Sequence, residues 1–435
     1  MFLIGLGSAT KVYLGGVIAL SELCTFILAP IVLIKNLPEF KRNKIMPAIY
    51  LPALMIVGCY ISCEVNNVPL LFFIKNTMMF YSIIAAVVVF YYLLKQNFNS
   101  LGWFFVGNFF SSIISIYAFN PGVVIDGSGV EVIGMIDPES TINGVMFWYQ
   151  KIFAIVKMPA FVNYLGVPLC LSIVPLVCAA AIVPFISVSG RSSTATLICS
   201  IILMSIGGKS RRRMAFLGRH FVCLLFIMAI SAFCIKSAYV YAAKNGILSV
   251  EAQNKYEKQT QGNDSFMKIL MGGRSEFFIA IRALLDSPII GLGPYARDTK
   301  GYTQEFLAKY GTEKDLDDFY RRLRRFGIRG SELQLPRHST LCQFWCDSGI
   351  IGLIFSLYYI YLVLMFFLKY SSVIPQWYGY FVIVIPPSLF AFFFNPYTDR
   401  FGYPLQIASL LIVRAVAERK IPVPYKHEVE ACKYE

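Results

Sequence analysis

Three side chains of this sequence have types that could act on phosphorylated or hydroxylated substrates: His338, Arg191 and Arg274. A histidine titrates near neutral pH, so it can accept the proton of a hydroxyl group or donate a hydrogen bond to a phosphate. Arginine stays charged, and its planar guanidinium pairs with phosphate oxygens. Plainer alternatives are a helix cap for His338, a membrane anchor at a helix end for Arg191, and an ion pair with a loop carboxylate for Arg274.

The composition indicates what kind of fold must position these residues. Hydrophobic residues make up 57% of the 435-residue chain, and the mean hydropathy of +0.62 exceeds what a soluble core needs. Of the 64 charged residues, 28 lie between residues 241 and 341. The net charge of +14 is then mostly a consequence of membrane topology, and it does not indicate nucleic-acid binding. We therefore expect a membrane protein with one charged insert.

Apolar windows long enough to cross a bilayer as helices recur along the chain. They predict an all-α polytopic membrane protein with about 11 transmembrane helices, within a range of about 10–12, and one large, mainly helical loop. The first window lacks an early basic region, so we expect it to remain as a span and not to be a cleaved signal. The window 140–157 is the least typical of a span, since it contains Lys151. The windows cover residues 13–34, 46–63, 68–94, 101–118, 140–157, 165–187, 192–208, 218–241, 341–368, 374–394 and 402–416.

Positive charge in short loops predicts the orientation, because such loops stay in the cytoplasm. The basic loop 35–44, Lys95, Lys157 and the run 209–213 fall on one side when every window is counted. The acidic stretch 126–139 and the charged insert fall on the other side, so the insert is predicted to be extracytoplasmic. The predicted parts are an N-terminal bundle at 1–241 with about 8 spans, the loop domain at 242–340, about three C-terminal spans at 341–416, and a cytoplasmic tail at 417–435.

The insert is predicted to be folded. Residues 274–286 have apolar side chains at helical spacing, which predicts an amphipathic helix. Pro288 ends this helix, and residues 291–295 are typical of a turn whose bare backbone can approach a neighbour closely. A second predicted helix is acidic at 313–318 and basic at 321–325, an order that suits the helix dipole.

Other polar residues favour structural interpretations. All but one of the 11 cysteines lie in apolar runs, so we expect no structural disulfide. Asp315-Leu-Asp317 has the spacing of a metal-binding motif, but its acidic surroundings favour a solvated helix face. Glu22 should face the bundle, because exposure to lipid would be costly. Thr340 and Gln343 are predicted to form a capping box for the next span.

Short motifs follow one another in a characteristic order around the insert. His338-Ser339 is followed by nine residues and then by Gly349-Ile-Ile-Gly352. Three further motifs precede it: Asp137-Pro138-Glu139-Ser140, Ser189-Gly190-Arg191-Ser192, and an arginine-headed helix at 274–293 that ends in P-x-x-G-x-G. Together they resemble the superfamily of O-antigen ligases and O-antigen or exopolysaccharide polymerases. Gly190 departs from the pattern by separating the usual Ser-Arg pair.

The resemblance implies transfer of a glycan from undecaprenyl diphosphate to an acceptor hydroxyl at the periplasmic face of the bacterial inner membrane. It implies His338 as a general base or phosphate contact, with Arg191 and Arg274 on the leaving diphosphate. These cations would make a metal unnecessary, and we expect an inverting reaction without a cofactor. Further substrate contacts are expected from Arg282, Arg297, Arg337, Tyr295 and Gln343.

Three functions stay open at this point. The favoured one is a polymerase of exopolysaccharide or O-antigen repeat units, and the alternative is an O-antigen ligase that transfers the glycan to lipid A core in lipopolysaccharide synthesis. A lipid-linked oligosaccharide flippase or transporter is less favoured, because the candidate residues gather at one rim. Membrane lipids, a flippase and chain-length regulator proteins are the expected partners, and no nucleic acid is expected.

Overall fold

A computed structural model describes most of the chain outside its middle part. The described residues are 1–8, 11–13, 17–114, 123–125, 131–133, 199–200, 203, 237, 240–247, 253, 256–257, 275–311, 313–327, 329–336, 339–373, 377–395, 397 and 401–421. The predicted windows 140–157 and 165–187 lie outside these residues, and 192–208 and 218–241 lie almost entirely outside them. The total of about 11 spans therefore stays a prediction.

Helices account for most of the described residues. They are α1 Phe2–Leu6, α2 Leu20–Arg42, α3 Met46–Val65, α4 Leu70–Gln96, α5 Ser100–Ile114, α6 Ser275–Leu284, α7 Tyr302–Tyr310, α8 Glu313–Phe326, α9 Thr340–Ser348, α10 Ile350–Met365, α11 Tyr378–Phe394 and α12 Gly402–Ala417. A π-helical turn, Phe366–Tyr370, continues α10.

Two short antiparallel strand pairs are present that the all-helical prediction did not include. Strand β1, Lys11–Tyr13, pairs with β2, Val17–Ala19, and β3, Val123–Ile125, pairs with β4, Glu131–Ile133. The first pair occupies the start of the predicted window 13–34, so the first long helix begins only at Leu20.

Four of the described helices are long and apolar enough to cross a membrane. They are α2, α3, α4 and the continuous helix Ile350–Tyr370, while α11 and α12 are apolar but shorter. These helices confirm the class of protein, since they overlap the predicted windows 13–34, 46–63, 68–94 and 341–368.

The predicted span 341–368 is divided between two helices, α9 and the membrane-crossing helix that begins at Ile350. The chain breaks at Gly349, whose φ of 62° and ψ of −145° separate α9 from α10. The Gly349 N–H still donates to the Trp345 carbonyl at 2.8 Å and closes α9. A residue with a side chain resists this backbone conformation, so the glycine permits the break.

Glu22 faces the interior of the bundle, as predicted, but it lies in the first turn of α2 and not in the middle of a span. Its side chain is buried. One carboxylate oxygen accepts a hydrogen bond from the Ala19 backbone N–H at 2.8 Å, and the other accepts one from the Ser82 hydroxyl at 2.9 Å. The buried carboxylate therefore joins the start of α2 to α4.

The core is built around α4, which packs against α2, α3 and α12. Residues 85–90 of α4 and residues 403–413 of α12 are buried without a break. An all-round apolar helix is typical of the centre of a bundle, because every face finds an apolar neighbour.

Basic residues and their partners gather at one end of the bundle. The N–O distances are 3.6 Å for Lys44–Glu418, 2.9 Å for Arg414–Glu418, 2.6 Å for Lys420–Glu418 and 2.7 Å for Lys95–Glu39. The loop after α2, the end of α4 and the end of α12 thus meet, as expected if the basic loop 35–44, Lys95 and the tail share one side. The described part of the insert contacts the opposite ends of α3 and α4.

Replacing the carboxylate of Glu418 tests whether these ion pairs stabilise this end of the bundle. Glu418→Gln leaves three cations without their common partner, so we expect the free energy of unfolding to fall by about 1 kcal/mol. In detergent this would lower the thermal unfolding temperature by about 2–4 °C. Glu305→Gln, which removes an exposed carboxylate of α7, should leave the unfolding temperature unchanged.

The stabilisation that Glu418 provides should depend on pH in a defined way. Hydrogen bonds from Lys420 and Arg414 lower the pKa of Glu418 from 4.5 to about 2. Because the pKa is lower in the folded state, the stabilisation is complete above pH 4.5 and is lost as the pH falls toward 2. The difference between wild type and Glu418→Gln should therefore shrink below pH 4.5; equal unfolding temperatures at neutral pH would contradict the assignment.

Candidate functional site

The described residues hold part of the predicted site. Arg191, Arg274, Arg337 and His338 lie outside them. Arg282, Arg297, Tyr295 and Gln343 are described, as are the P-x-x-G-x-G turn at 288–293 and the G-x-x-G segment at 349–352. The predicted helices of the insert are also confirmed, as α6 and α8.

The turn of the insert docks onto the break between α9 and α10 through backbone hydrogen bonds. The N–H groups of Leu292 and Gly293 donate to the Cys346 carbonyl at 2.9 Å and 3.0 Å. In the other direction, the Ile350 N–H donates to the Ile289 carbonyl at 2.8 Å. Two motifs separated in sequence by the whole end of the insert are therefore directly bonded.

Glycine is required on both sides of this contact, which we name the docking junction: residues 288–293 against residues 345–352. A Cβ atom on Gly291 would overlap the Cys346 carbonyl, and one on Gly349 would overlap the Ile289 carbonyl. Both glycines have positive φ, at 80° and 62°. The two glycines thus serve close backbone approach as well as the turns themselves.

The docking junction also contacts the connection between α3 and α4. The Asn66 amide donates to the Gly291 carbonyl at 3.3 Å. Tyr295 stacks on Phe72 with ring centroids 4.6 Å apart. The Trp345 indole N–H donates to the Pro288 carbonyl at 2.8 Å. The turn is therefore held from two sides at one end of the bundle.

The chain on both sides of His338 is anchored at this end. Before it, the Leu335 N–H donates to the Ala296 carbonyl at 2.9 Å. After it, the Ser339 hydroxyl donates to the Phe392 carbonyl at 3.3 Å and accepts from the Cys342 N–H at 3.2 Å. Ser339 is thus the N-cap of α9, and the predicted capping box of Thr340 and Gln343 was wrong.

Two of the expected substrate contacts are engaged within the protein. Gln343 is buried; its amide oxygen accepts from the Tyr397 N–H at 3.0 Å, and its amide nitrogen lies 3.6 Å from the Met79 sulfur. Tyr295 is half-buried against Phe72. Arg297 is exposed, and its backbone forms an isolated bridge with Gln334.

Arg282 belongs to a charged cluster on the insert. The Asp286 carboxylate accepts hydrogen bonds from Arg282 at 2.7 Å, Lys300 at 3.0 Å and the Tyr302 hydroxyl at 2.7 Å. The Tyr302 hydroxyl, then the Lys300 and Arg282 cations, hold the pKa of Asp286 well below its usual range. The Arg282 side chain is half exposed, and one of its guanidinium nitrogens makes this contact with Asp286.

Sequence reasoning missed Asp298, which organises the start of α7. Its two carboxylate oxygens accept from the backbone N–H groups of Tyr302 at 2.7 Å and Thr303 at 2.8 Å. It is buried, and its own N–H donates to the Leu333 carbonyl at 2.7 Å. An aspartate just ahead of a glycine and an amphipathic segment is a usable signal for such a cap.

Comparisons of the chain with protein-family models, with curated proteins and with solved structures find no match. The apolar helices and the docking junction define the class of protein, a helical membrane protein whose polar insert is bonded to the start of a membrane-spanning helix.

Alanine substitutions test whether the docking junction depends on its glycines. Gly349→Ala should lower the free energy of unfolding by about 2–5 kcal/mol, because positive φ costs alanine about 1–2 kcal/mol and overlap with packed backbone adds about 1–3 kcal/mol. Hydrogen exchange at the Leu292 and Gly293 amides should accelerate, since their acceptor moves.

Gly327→Ala is the matched control for this substitution. Gly327 has the same φ of 62°, but a Cβ there would meet no atom within 4 Å. Gly327→Ala should therefore lower the free energy of unfolding only by the cost of positive φ. The amides of Leu292 and Gly293 should stay protected from hydrogen exchange. Unchanged protection in Gly349→Ala would show that the junction does not require the glycine.

Proposed function

We propose that the protein is an inner-membrane glycan transferase that uses an undecaprenyl-diphosphate-linked oligosaccharide. It polymerises exopolysaccharide or O-antigen repeat units at the periplasmic face, with inversion and without a metal. The observation that carries this proposal is the docking junction. Two motifs on which the sequence resemblance depends are bonded to one another, as expected for parts of one site.

The proposed chemistry is a single displacement. The acceptor hydroxyl oxygen attacks the anomeric carbon, the bond from that carbon to the diphosphate oxygen breaks, and the anomeric configuration inverts. His338 takes the hydroxyl proton, and Arg191 and Arg274 neutralise the charge that develops on the leaving diphosphate. The donor is already activated, so positioning and charge neutralisation supply most of the catalysis.

The anchoring of the chain around His338 supports this role. Leu335 and Ser339 are each bonded to backbone carbonyls of other segments, so the chain enters and leaves the His338 segment at defined points. A general base needs such restraint, because proton transfer requires hydrogen-bond reach to the reacting hydroxyl.

The distribution of charge supports the predicted side. The basic loop around Lys44 and the Glu418 cluster lie at one end of the bundle, whereas the docking junction lies at the other. Short basic loops are retained in the cytoplasm. The docking junction and the chain ends flanking His338 are accordingly assigned to the periplasmic side, where lipid-linked repeat units would be joined.

The decisive experiment is reconstitution with defined substrates. Purified full-length protein is incubated in EDTA with a lipid-diphosphate-linked repeat unit, with and without core-lipid acceptor. A ladder of products from donor alone supports the polymerase, whereas a single shifted product that requires core lipid identifies a ligase. Absence of product in a preparation that still binds the donor would refute the proposal that the protein is a glycan transferase.

Substitutions at the proposed catalytic residues should separate activity from folding. We expect His338→Ala to lower the transfer rate about 10²–10⁴-fold, as is typical for loss of a general base. Arg191→Ala should also abolish most transfer, because the leaving group loses a cation. His427→Ala and Arg325→Ala, in the tail and on α8, should keep wild-type rates. Wild-type activity in both site variants would contradict the assignment.

The pH profile distinguishes the two roles considered for His338. A general base must be neutral, so the rate should rise with pH through about 6.5. A cationic phosphate contact would give the opposite trend. In both cases the change of rate with pH should disappear in His338→Ala and persist in His427→Ala.

A further inference from the structure

Large apolar side chains are exposed on the polar insert beside the docking junction. Leu285 is 60% exposed and Ile289 is 71% exposed, and Ile290 is also exposed. They lie within six residues at the end of α6 and in the following turn. Water-facing loops seldom carry such a concentration of large aliphatic groups, so the group calls for an apolar partner.

The adjacent membrane-spanning helix has a continuous apolar stripe on its outer face. Its exposed side chains recur every three or four residues, which places them on one side of α10. They are Ile350, Ile354, Leu357, Tyr361, Leu364 and Leu368. The continuous helix Ile350–Tyr370 is long and apolar enough to cross a membrane, so we infer that this stripe faces lipid.

The exposed group of the insert extends this stripe beyond the start of α10. The Ile289 carbonyl accepts from the N–H of Ile350, which is the first residue of the stripe, at 2.8 Å. The Trp345 indole binds the neighbouring Pro288 carbonyl. The turn therefore lies next to the lipid-facing surface at the end of the span.

Several backbone groups of the turn are paired within the protein. Pro288 has no N–H, and its carbonyl is bonded to Trp345. The Gly291 carbonyl accepts from the Ser287 hydroxyl at 2.9 Å, and its N–H donates to the Ser287 carbonyl at 2.9 Å. Leu292 and Gly293 donate to Cys346 as described above. Such pairing lowers the cost of placing these peptide groups next to lipid chains, where an unpaired peptide group is costly.

Charged groups border the apolar group on the insert side. Arg282, on α6, lies one turn before Leu285. Arg282 and Lys300 both pair with the Asp286 carboxylate. Their side chains are 51% and 63% exposed. Long cationic side chains next to exposed aliphatic ones are typical of the boundary between acyl chains and headgroups.

We propose that the segment 282–300 is an interfacial membrane anchor. Leu285, Ile289 and Ile290 insert among the acyl chains of the leaflet on the side of the insert, and Arg282 and Lys300 stay at the phosphate level. The partner is bilayer phospholipid. The anchor sets the depth of the docking junction relative to the membrane, and the inference does not depend on the proposed reaction.

Depth-dependent quenching tests the anchor. An environment-sensitive fluorescent amino acid is introduced by codon suppression at position 289 of the full-length protein, which is placed in phosphatidylethanolamine–phosphatidylglycerol nanodiscs. Bromine on the acyl chains near the headgroups should quench the probe at 289, and aqueous iodide should not. The same probe at Leu357, in the middle of the stripe, is the lipid-exposed reference, and at Glu332, exposed on the insert, the aqueous one.

Each outcome of this experiment decides the proposal. Quenching at 289 by bromolipid, as at 357 but strongest for shallow bromine, supports it. Quenching by iodide, as at 332, would place the turn in water and overturn it. Protection from both quenchers would mean that protein covers the turn, which also overturns it. If the 289 probe disturbs folding, the probe at Leu285 gives the same test one turn earlier.

Discussion

A broken helix leaves peptide groups that need partners, and the rest of this structure depends on how those partners are supplied. At Gly349 the α9 carbonyls and the first N–H groups of α10 lose their intrahelical bonds. The insert provides the missing groups, with two N–H donors for the Cys346 carbonyl and one carbonyl for the Ile350 N–H. The break and the turn therefore complete one another, and the polar insert becomes part of the membrane bundle.

This mutual dependence explains why small changes of residue type carry large consequences here. Backbone can approach backbone only where no Cβ intervenes, so Gly291 and Gly349 stand at the contact. Next to this contact, Tyr295 stacks on Phe72 and the Asn66 amide donates a hydrogen bond to the turn. The turn of the insert is thus held at several points, which suits a proposed site that must align large substrates.

The expectations from sequence succeeded where the signal was local and failed where a distant partner decided. Hydropathy predicted the long apolar helices, and helical spacing predicted α6 and α8, because these depend on neighbouring residues. The division of the span 341–368 at Gly349 was not predicted, because this glycine resembles an ordinary helix residue until the insert is seen bonded to it. The hydrogen bond from the Tyr397 backbone N–H to the Gln343 amide oxygen joins residues 54 apart in sequence, and no local pattern indicates it.

By itself, the sequence determined that this protein lies in a membrane, that basic residues cluster in its short loops and that its charge is concentrated in one folded insert, since these follow from composition and period. The sequence also contains a motif in which His338 is followed at a fixed spacing by Gly349 and Gly352. Only the tertiary structure decided that Ser339 caps α9, that Glu418 joins the loop after α2 to the end of α12, and that the insert docks on Gly349. Those features depend on hydrogen bonds and close approach between residues far apart in sequence, and no local pattern specifies such partners.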